Sequence, residues 1–337
     1  MPCVKVFSKT GNLPRQLPAE KPEWGGFLFD FNPQLRKYDW LVVYDDLPSH
    51  GKRLSPMEEL ACPPQNTVLF THEPSAVKTH GSDFISQFAA VLTCHEEWAM
   101  AHPRKISAHP ASPWWYRGDL SYDELCAMAS PVKDKIFSTV CSGKRMRHTL
   151  HMKRFEFTKR LKALMPEMDW FGHGVSPIKN KSQALDPYRY HLVVENWRCP
   201  NYWTEKLADA FLSYTLPFYY GAPNAADYFP QESFIPVDIH DFDGALETIR
   251  RAIADKEYEK RLPHIIEARR LVLEEHNFFS LLAREIKKLP SAEILTPKKT
   301  IIYGRYALWK KSPWGRIRCI GEKARVRLIS FSKANEC

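Results

Sequence analysis

The feature that most constrains this chain is a recurrence of short, nearly continuous apolar runs bounded by turn-forming residues. They fall at residues 39–44, 67–70, 90–93, 135–140, 169–171, 191–194, 216–220 and 234–237. Unbroken Val, Leu, Ile, Phe and Tyr runs of this length suit strands covered on both faces, as in a parallel sheet. Helical patterns lie between them. Residues 152–164 carry Phe155, Leu161 and Leu164 among basic residues, and 204–212 gather Leu207, Ala208, Phe211 and Leu212 on one side. Phe242, Leu246, Ile249 and Ile253 recur at helical spacing, and 257–288 reads as further helix. Alternating strand and helix predicts an α/β fold.

A polar, Pro-containing stretch at 129–134 marks the expected boundary: a first domain over 1–132, a second over 133–297, and a tail over 298–337. The tail holds eleven Lys and Arg against two Glu, whereas residues 1–297 hold 37 of each sign. The formal charge of +9 is therefore a property of the tail. A neutral body without an RNP, KH or zinc motif argues against a nucleic-acid-binding protein with a non-catalytic scaffold, the rival from another class. From Trp314, apolar residues recur at Ile317, Gly321, Ala324, Leu328 and Phe331, with Arg316, Arg318, Lys323, Arg325 and Arg327 between them. Such a helix suits an anionic membrane surface, and equally a final helix packed on the body. No stretch approaches the roughly 18 apolar residues of a membrane span. The first residues do not read as a secretory signal, and the eight cysteines are scattered singly. The expectation is a reduced, cytoplasmic protein, peripheral at the inner face of the membrane.

G-x-G-x-x-G, Walker A, H-E-x-x-H and G-x-S-x-G are all absent. Asp241-Phe242-Asp243 has the D-x-D form of a metal-holding motif, but it opens a helical pattern, where Asp is a customary N-cap. Residues 190–234 are more informative. A buried strand runs into Glu195-Asn196, a loop follows, and Thr204-Glu205-Lys206 opens a helix. A strand-loop-helix corner turns free backbone N–H groups and a positive dipole end toward a bound anion. Lys206 opposes that dipole, which suggests that its charge serves an anion. Glu195, Asn196 and Glu205 are candidates for sugar hydroxyls; an ordinary βα corner is the competing reading.

The run Glu195-Asn196, Tyr202, Thr204-Glu205-Lys206, then Pro217 and Gly221, resembles the signature E-N-x5-Y-x-T-E-K … P-x-x-x-G of the α-1,3/4-fucosyltransferases, glycosyltransferase family 10. Glu232-Ser233-Phe234-Ile235 resembles the family's next segment. The resemblance implies a glycosyltransferase B fold, with two Rossmann-like domains facing a cleft. The first would be the acceptor-side domain and the second the GDP-sugar-binding domain. It implies a donor site of Arg154, Asn196, Tyr202, Glu205 and Lys206, with Lys206 on the diphosphate. Arg154, Phe157 and Leu161 match the family's R-x2-Φ-x3-L helix, with Arg145 and Arg147 as competitors. The loop Thr71-His72-Glu73-Pro74-Ser75 resembles the one that supplies the family's catalytic base, here Glu73, with His72 and His80 nearby. The aromatic loop Ser112-Pro113-Trp114-Trp115-Tyr116 either stacks on a sugar or packs.

The implied reaction moves fucose from GDP-fucose, with inversion, to O3 or O4 of GlcNAc in a cell-surface glycan or glycolipid such as lipopolysaccharide. It needs no metal site or resident cofactor, a divalent ion acting only as a stimulant. A related enzyme using another nucleotide sugar is the alternative within the class.

Overall fold

The computed structural model describes the chain apart from residues 10, 20, 49–55, 291–299 and 337, and the side chains of 335 and 336. It divides into two α/β units. One comprises residues 1–111 and 278–332, the other 112–277 and 333–337.

The first unit opens with β1 (Cys3–Ser8), β2 (Glu23–Trp24), β3 (Phe27–Asp30), β4 (Trp40–Tyr44), β5 (Met57–Glu59), β6 (Thr67–Phe70), helix α1 (Ser82–Ile85), β7 (Ala90–Thr93) and β8 (Lys105–Ser107). Seven strands form one sheet in the order β2-β3-β1-β4-β6-β7-β8, parallel except for the β2–β3 pair. Val42, Tyr44, Val68, Phe70 and Leu92 face one apolar layer, whereas Leu41, Val43, Leu69 and Val91 face another. Side chains alternate across a strand, so two covered faces require the unbroken apolar runs seen in the sequence.

The second unit holds α2 (Tyr122–Ala127), β9 (Lys135–Val140), α3 (His151–Leu164), β10 (Asp169–Phe171), α4 (Ser182–Leu185), β11 (Tyr188–Val194), α5 (Glu205–Leu212), β12 (Leu216–Tyr220), β13 (Ile235–Pro236), α6 (Phe242–Ala254) and α7 (Glu257–Glu274). Its sheet is entirely parallel, in the order β10-β9-β11-β12-β13. From β9 the chain moves to β10 on one side and later to β11 on the other. The crevice at the ends of β9 and β11 is therefore a topological switch point, where open α/β sheets bind ligands.

The chain then returns to the first unit with α8 (Phe278–Lys288), β14 (Ile301–Tyr303), α9 (Arg305–Lys311) and α10 (Pro313–Glu336), whose last residues from 333 group with the second unit. Phe278, Phe279, Leu282 and Ile286 of α8 complete one apolar layer of the first sheet, with the Phe279 ring 4.9 Å from that of Phe29 and 5.1 Å from that of Phe278. β14 pairs antiparallel with β5. Each unit is a parallel-sheet, Rossmann-like α/β unit, in agreement with the α/β fold class expected from the sequence.

The domain limits differ from those expected. The first crossing falls at 111/112 instead of 132/133, because the segment after Ala111 is fastened to the second unit. Trp115 N donates to Asp209 (3.1 Å), and Tyr116 Oη donates to Asp186 (2.6 Å). The return falls at 277/278, inside the stretch read as one helical region. There Asn277 Nδ2 donates to the Leu273 carbonyl, and Phe278 N donates to Gln16 Oε1 (2.8 Å), so α7 and α8 are separate helices. The expected limit at 297/298 lies outside the described residues. Residues 301–332 are part of the first unit and not a detached tail. Arg305 pairs with Asp46 (3.2 Å), Arg318 with Asp83 (2.7 Å), and Glu322 receives Ser82 N (3.0 Å).

Candidate active site

A cavity of about 240 Å³ lies at the switch point of the second unit. It is lined from β9 and its following loop (Val140, Ser142, Lys144), from α3 (His151, Arg154), from β11 and its loop (His191 to Val194, Asn196), and from α5 (Glu205, Lys206, Asp209). Lys181 and Leu185 close it beside α4. Four of the five expected donor residues, Arg154, Asn196, Glu205 and Lys206, therefore come together.

The local folding of the corner follows from its side chains. Glu195 is fully buried at the end of β11, where its carboxylate receives Thr204 N (2.8 Å) and the Thr204 hydroxyl (2.8 Å). Thr204 Oγ1 in turn accepts Lys206 N (3.3 Å), so it N-caps α5. Lys206 Nζ donates to Glu195 (3.1 Å) and Glu205 (3.2 Å). Burial opposes the ammonium, but the two carboxylates outweigh it and hold the Lys206 pKa above the ordinary lysine value. Glu195 is thus the counter-ion of Lys206 and not a hydroxyl ligand. Gly221 is required beside it, because a Cβ there would lie 2.6 Å from Glu195 Cγ.

Arg154 is 6% exposed, and its Nη1 donates to the Val194 carbonyl (3.2 Å) and Asn196 Oδ1 (2.9 Å). It has no carboxylate partner among the described residues, and its Nε is buried without a hydrogen bond. A buried guanidinium without a counter-ion is costly unless an anion completes it. Lys144 is exposed at the cavity rim without a partner among the described residues. Arg145 instead lies over the Phe155 ring (4.7 Å), Arg147 is exposed, and neither lines the cavity. The geometry therefore favours Arg154 of the three.

Tyr202 departs from expectation. The loop turns Trp197, Cys199, Tyr202 and Trp203 inward, through a left-handed Asn201 (φ 66°), and leaves Tyr202 1% exposed and outside the cavity lining. Its place is in the packing of the loop. Sequence reasoning missed Ser142, Lys144, His151, Lys181, His191 and Asp209. His191 carried a signal, being one polar residue inside an apolar strand. Asp241 of the D-x-D sequence accepts Gly244 N (3.1 Å) as the N-cap of α6, while Asp243 pairs with Arg160 (3.2 Å).

In the first unit, Glu73 follows β6 in a loop held by Ser75 Oγ donating to Glu96 (2.6 Å) and His95 Nε2 donating to the Glu73 carbonyl (2.8 Å). The Glu73 carboxylate makes no hydrogen bond or ion pair among the described residues. His80 is buried against Asp45 (2.9 Å), and desolvation lowers its pKa despite that carboxylate. Trp114 and Tyr116 are buried in the second unit, and only Trp115 of that aromatic loop is exposed.

Burial also lowers the pKa of His95 and His191 to about 3. Both are neutral in the folded protein, whereas in the unfolded chain they take up a proton near pH 6.5. Their effect on stability is absent above pH 6.5 and grows as pH falls toward 3. Each histidine should then withdraw about 1.4 kcal/mol per pH unit. Denaturant titrations at pH 7 and pH 5 check this: His191→Leu should show a smaller loss on acidification than the unaltered chain.

Arg154, Lys206 and Lys144 thus gather positive charge at the switch point of a parallel sheet, where an anion would be favoured. Residues 130–257 match the family described as glycosyltransferase family 10 (fucosyltransferase), C-terminal. The chain is 40% identical over 74 residues to the alpha-(1,3)-fucosyltransferase FucT of Helicobacter pylori, a match covering 22% of this chain and 16% of that protein. Among solved structures, an alpha1,3-fucosyltransferase is similar with a TM-score of 0.46 at 20% identity, covering 78% of this chain and 80% of that one. One with GDP-fucose is similar with a TM-score of 0.44 at 17% identity, covering 82% and 92%.

Proposed function

We propose that the protein is an inverting fucosyltransferase that moves fucose from GDP-fucose to O3 or O4 of GlcNAc in a cell-surface glycan such as lipopolysaccharide. The observation that carries the reading is Arg154, buried beside Lys206 in the switch-point cavity with no carboxylate partner among the described residues. Arg154 and Lys206 offset the charge that builds on the departing diphosphate. Asn196, whose Oδ1 is held by Arg154, keeps its amide N–H groups for the donor. Glu205 binds sugar hydroxyls. Glu73 takes the proton of the acceptor hydroxyl, a role supported by a carboxylate that has no partner among the described residues, on a loop braced from both sides. The side chains proposed here act without a metal ion or resident cofactor. A panel of nucleotide sugars tests the donor, since a ligand bound to the folded state raises Tm. GDP-fucose should raise it most; a larger rise with another nucleotide sugar would replace the donor.

The same reading places the protein at the cytoplasmic face of an anionic membrane. Among the described residues, no helix is long and apolar enough to cross a bilayer. Within the first unit, the buried face of α10 is made of Gly315, Cys319, Val326 and Ser330. Outward lie Trp314 (80% exposed), Ile317, Leu328 (73% exposed) and Phe331, interleaved with exposed Arg316, Lys323, Arg325 and Arg327. An apolar stripe flanked by cations supports a surface-lying helix. Replacing Trp314, Leu328 and Phe331 together with Ser keeps the inward face intact. It should reduce co-sedimentation with phosphatidylserine-containing vesicles by roughly tenfold or more, since about 0.8 kcal/mol accompanies each buried CH2. Undiminished binding would make the helix purely structural.

A further inference from the structure

The cavity has an inner end that the proposed chemistry at Arg154 and Lys206 does not use. His191 lies opposite Ser138 in the pairing of β11 with β9. Ser138 Oγ donates its single proton to the Ala184 carbonyl (2.6 Å), so its 2.7 Å contact with His191 Nδ1 requires the ring to donate. The neutral ring therefore carries its proton on Nδ1 and leaves Nε2 as a bare acceptor. Nε2 has no protein partner among the described residues and is not enclosed, so it opens on the cavity that His191 lines. His191 is only 5% exposed, and burial keeps it neutral throughout the physiological range.

Beside it, Lys181 Nζ donates to Asp209 Oδ2 (2.6 Å), and Asp209 Oδ1 accepts Trp115 N (3.1 Å). The Tyr116 backbone N–H also supports this carboxylate, which keeps one acceptor site, and the ammonium retains two protons. The inner end thus offers two acceptors, His191 Nε2 and the Asp209 carboxylate, and one donor, Lys181. Guanine presents the complement on its pairing edge: O6 as an acceptor, with N1–H and the 2-amino group as donors. Adenine presents a donor and a bare N1 there, and uracil presents two acceptors around a single N–H.

Resting on the donor reading above, we propose that His191, Asp209 and Lys181 read the guanine edge of the nucleotide. His191 accepts from the 2-amino group, Asp209 from N1–H, and Lys181 donates to O6. The sugar is then selected elsewhere, and these three residues exclude UDP- and ADP-linked donors.

Calorimetric titration with GDP, IDP, UDP and ADP tests the assignment, because IDP keeps O6 and N1–H but lacks the 2-amino group. The unaltered protein should bind GDP about tenfold more tightly than IDP, the scale of one hydrogen bond to a buried acceptor. His191→Leu should abolish that preference by weakening GDP alone, and His191→Gln, which keeps an acceptor, should retain part of it. Equal binding of GDP and IDP by the unaltered protein, or a preference that survives in His191→Leu, would overturn the assignment while leaving the donor reading intact. If none of the four nucleotides binds, the donor reading fails and the assignment fails with it.

Discussion

Glu73→Gln should lower kcat by about 10²- to 10⁴-fold, the usual contribution of a general base, while the Kd for GDP-fucose stays unchanged. The substitution preserves shape and removes only the ability to take a proton. The Glu73 carboxylate has no partner among the described residues, so little structural cost accompanies the change, and His95 continues to hold the loop through the Glu73 carbonyl. Single-turnover rates with saturating donor, measured beside donor affinity, separate the two quantities. A kcat within threefold of the unaltered enzyme would remove Glu73 from the base role.

The second large effect belongs to Lys206. Its ammonium is held by Glu195 and Glu205 and stands in the cavity with Arg154. Lys206→Met should reduce kcat/KM for GDP-fucose by about 10²- to 10³-fold, because a preorganised charged donor aimed at departing charge contributes about 2.7–4 kcal/mol. The variant also leaves Glu195 buried without its cation, so Tm will fall. Lys206→Met combined with Glu195→Gln restores electrical balance and should recover stability without recovering turnover. Recovery of both would make Lys206 a structural residue only.

Much of this could be read in the chain. The apolar runs at 67–70, 90–93, 135–140 and 216–220 are strands at those limits, because two covered faces leave no room for a polar alternation. Thr204-Glu205-Lys206 is legible for a local reason: the cap, the counter-ion and the cation lie within twelve residues of one corner. β1 was hidden because Lys5 interrupts it. That lysine is fully buried only through Glu58 (2.7 Å) and the carbonyls of Pro33 and Leu35, partners 28 to 53 residues away. The units' limits were hidden for a similar reason. The return at 277/278 depends on Gln16 receiving Phe278 N, a contact spanning 262 positions. At the site, Tyr202 was misplaced because a motif gives spacing but not the inward turn at Asn201. Lys181, His191 and Asp209 meet through the order of the strands, which no local pattern encodes.

The central claim is that this chain transfers fucose. Incubation with GDP-fucose and a panel of N-acetyllactosamine and lipopolysaccharide acceptors, followed by mass measurement of the products, tests it most directly. The account predicts an acceptor heavier by one deoxyhexose, formed by the unaltered enzyme and lost in Glu73→Gln and Lys206→Met. Transfer of a different sugar from another nucleotide donor, with none from GDP-fucose, would contradict it.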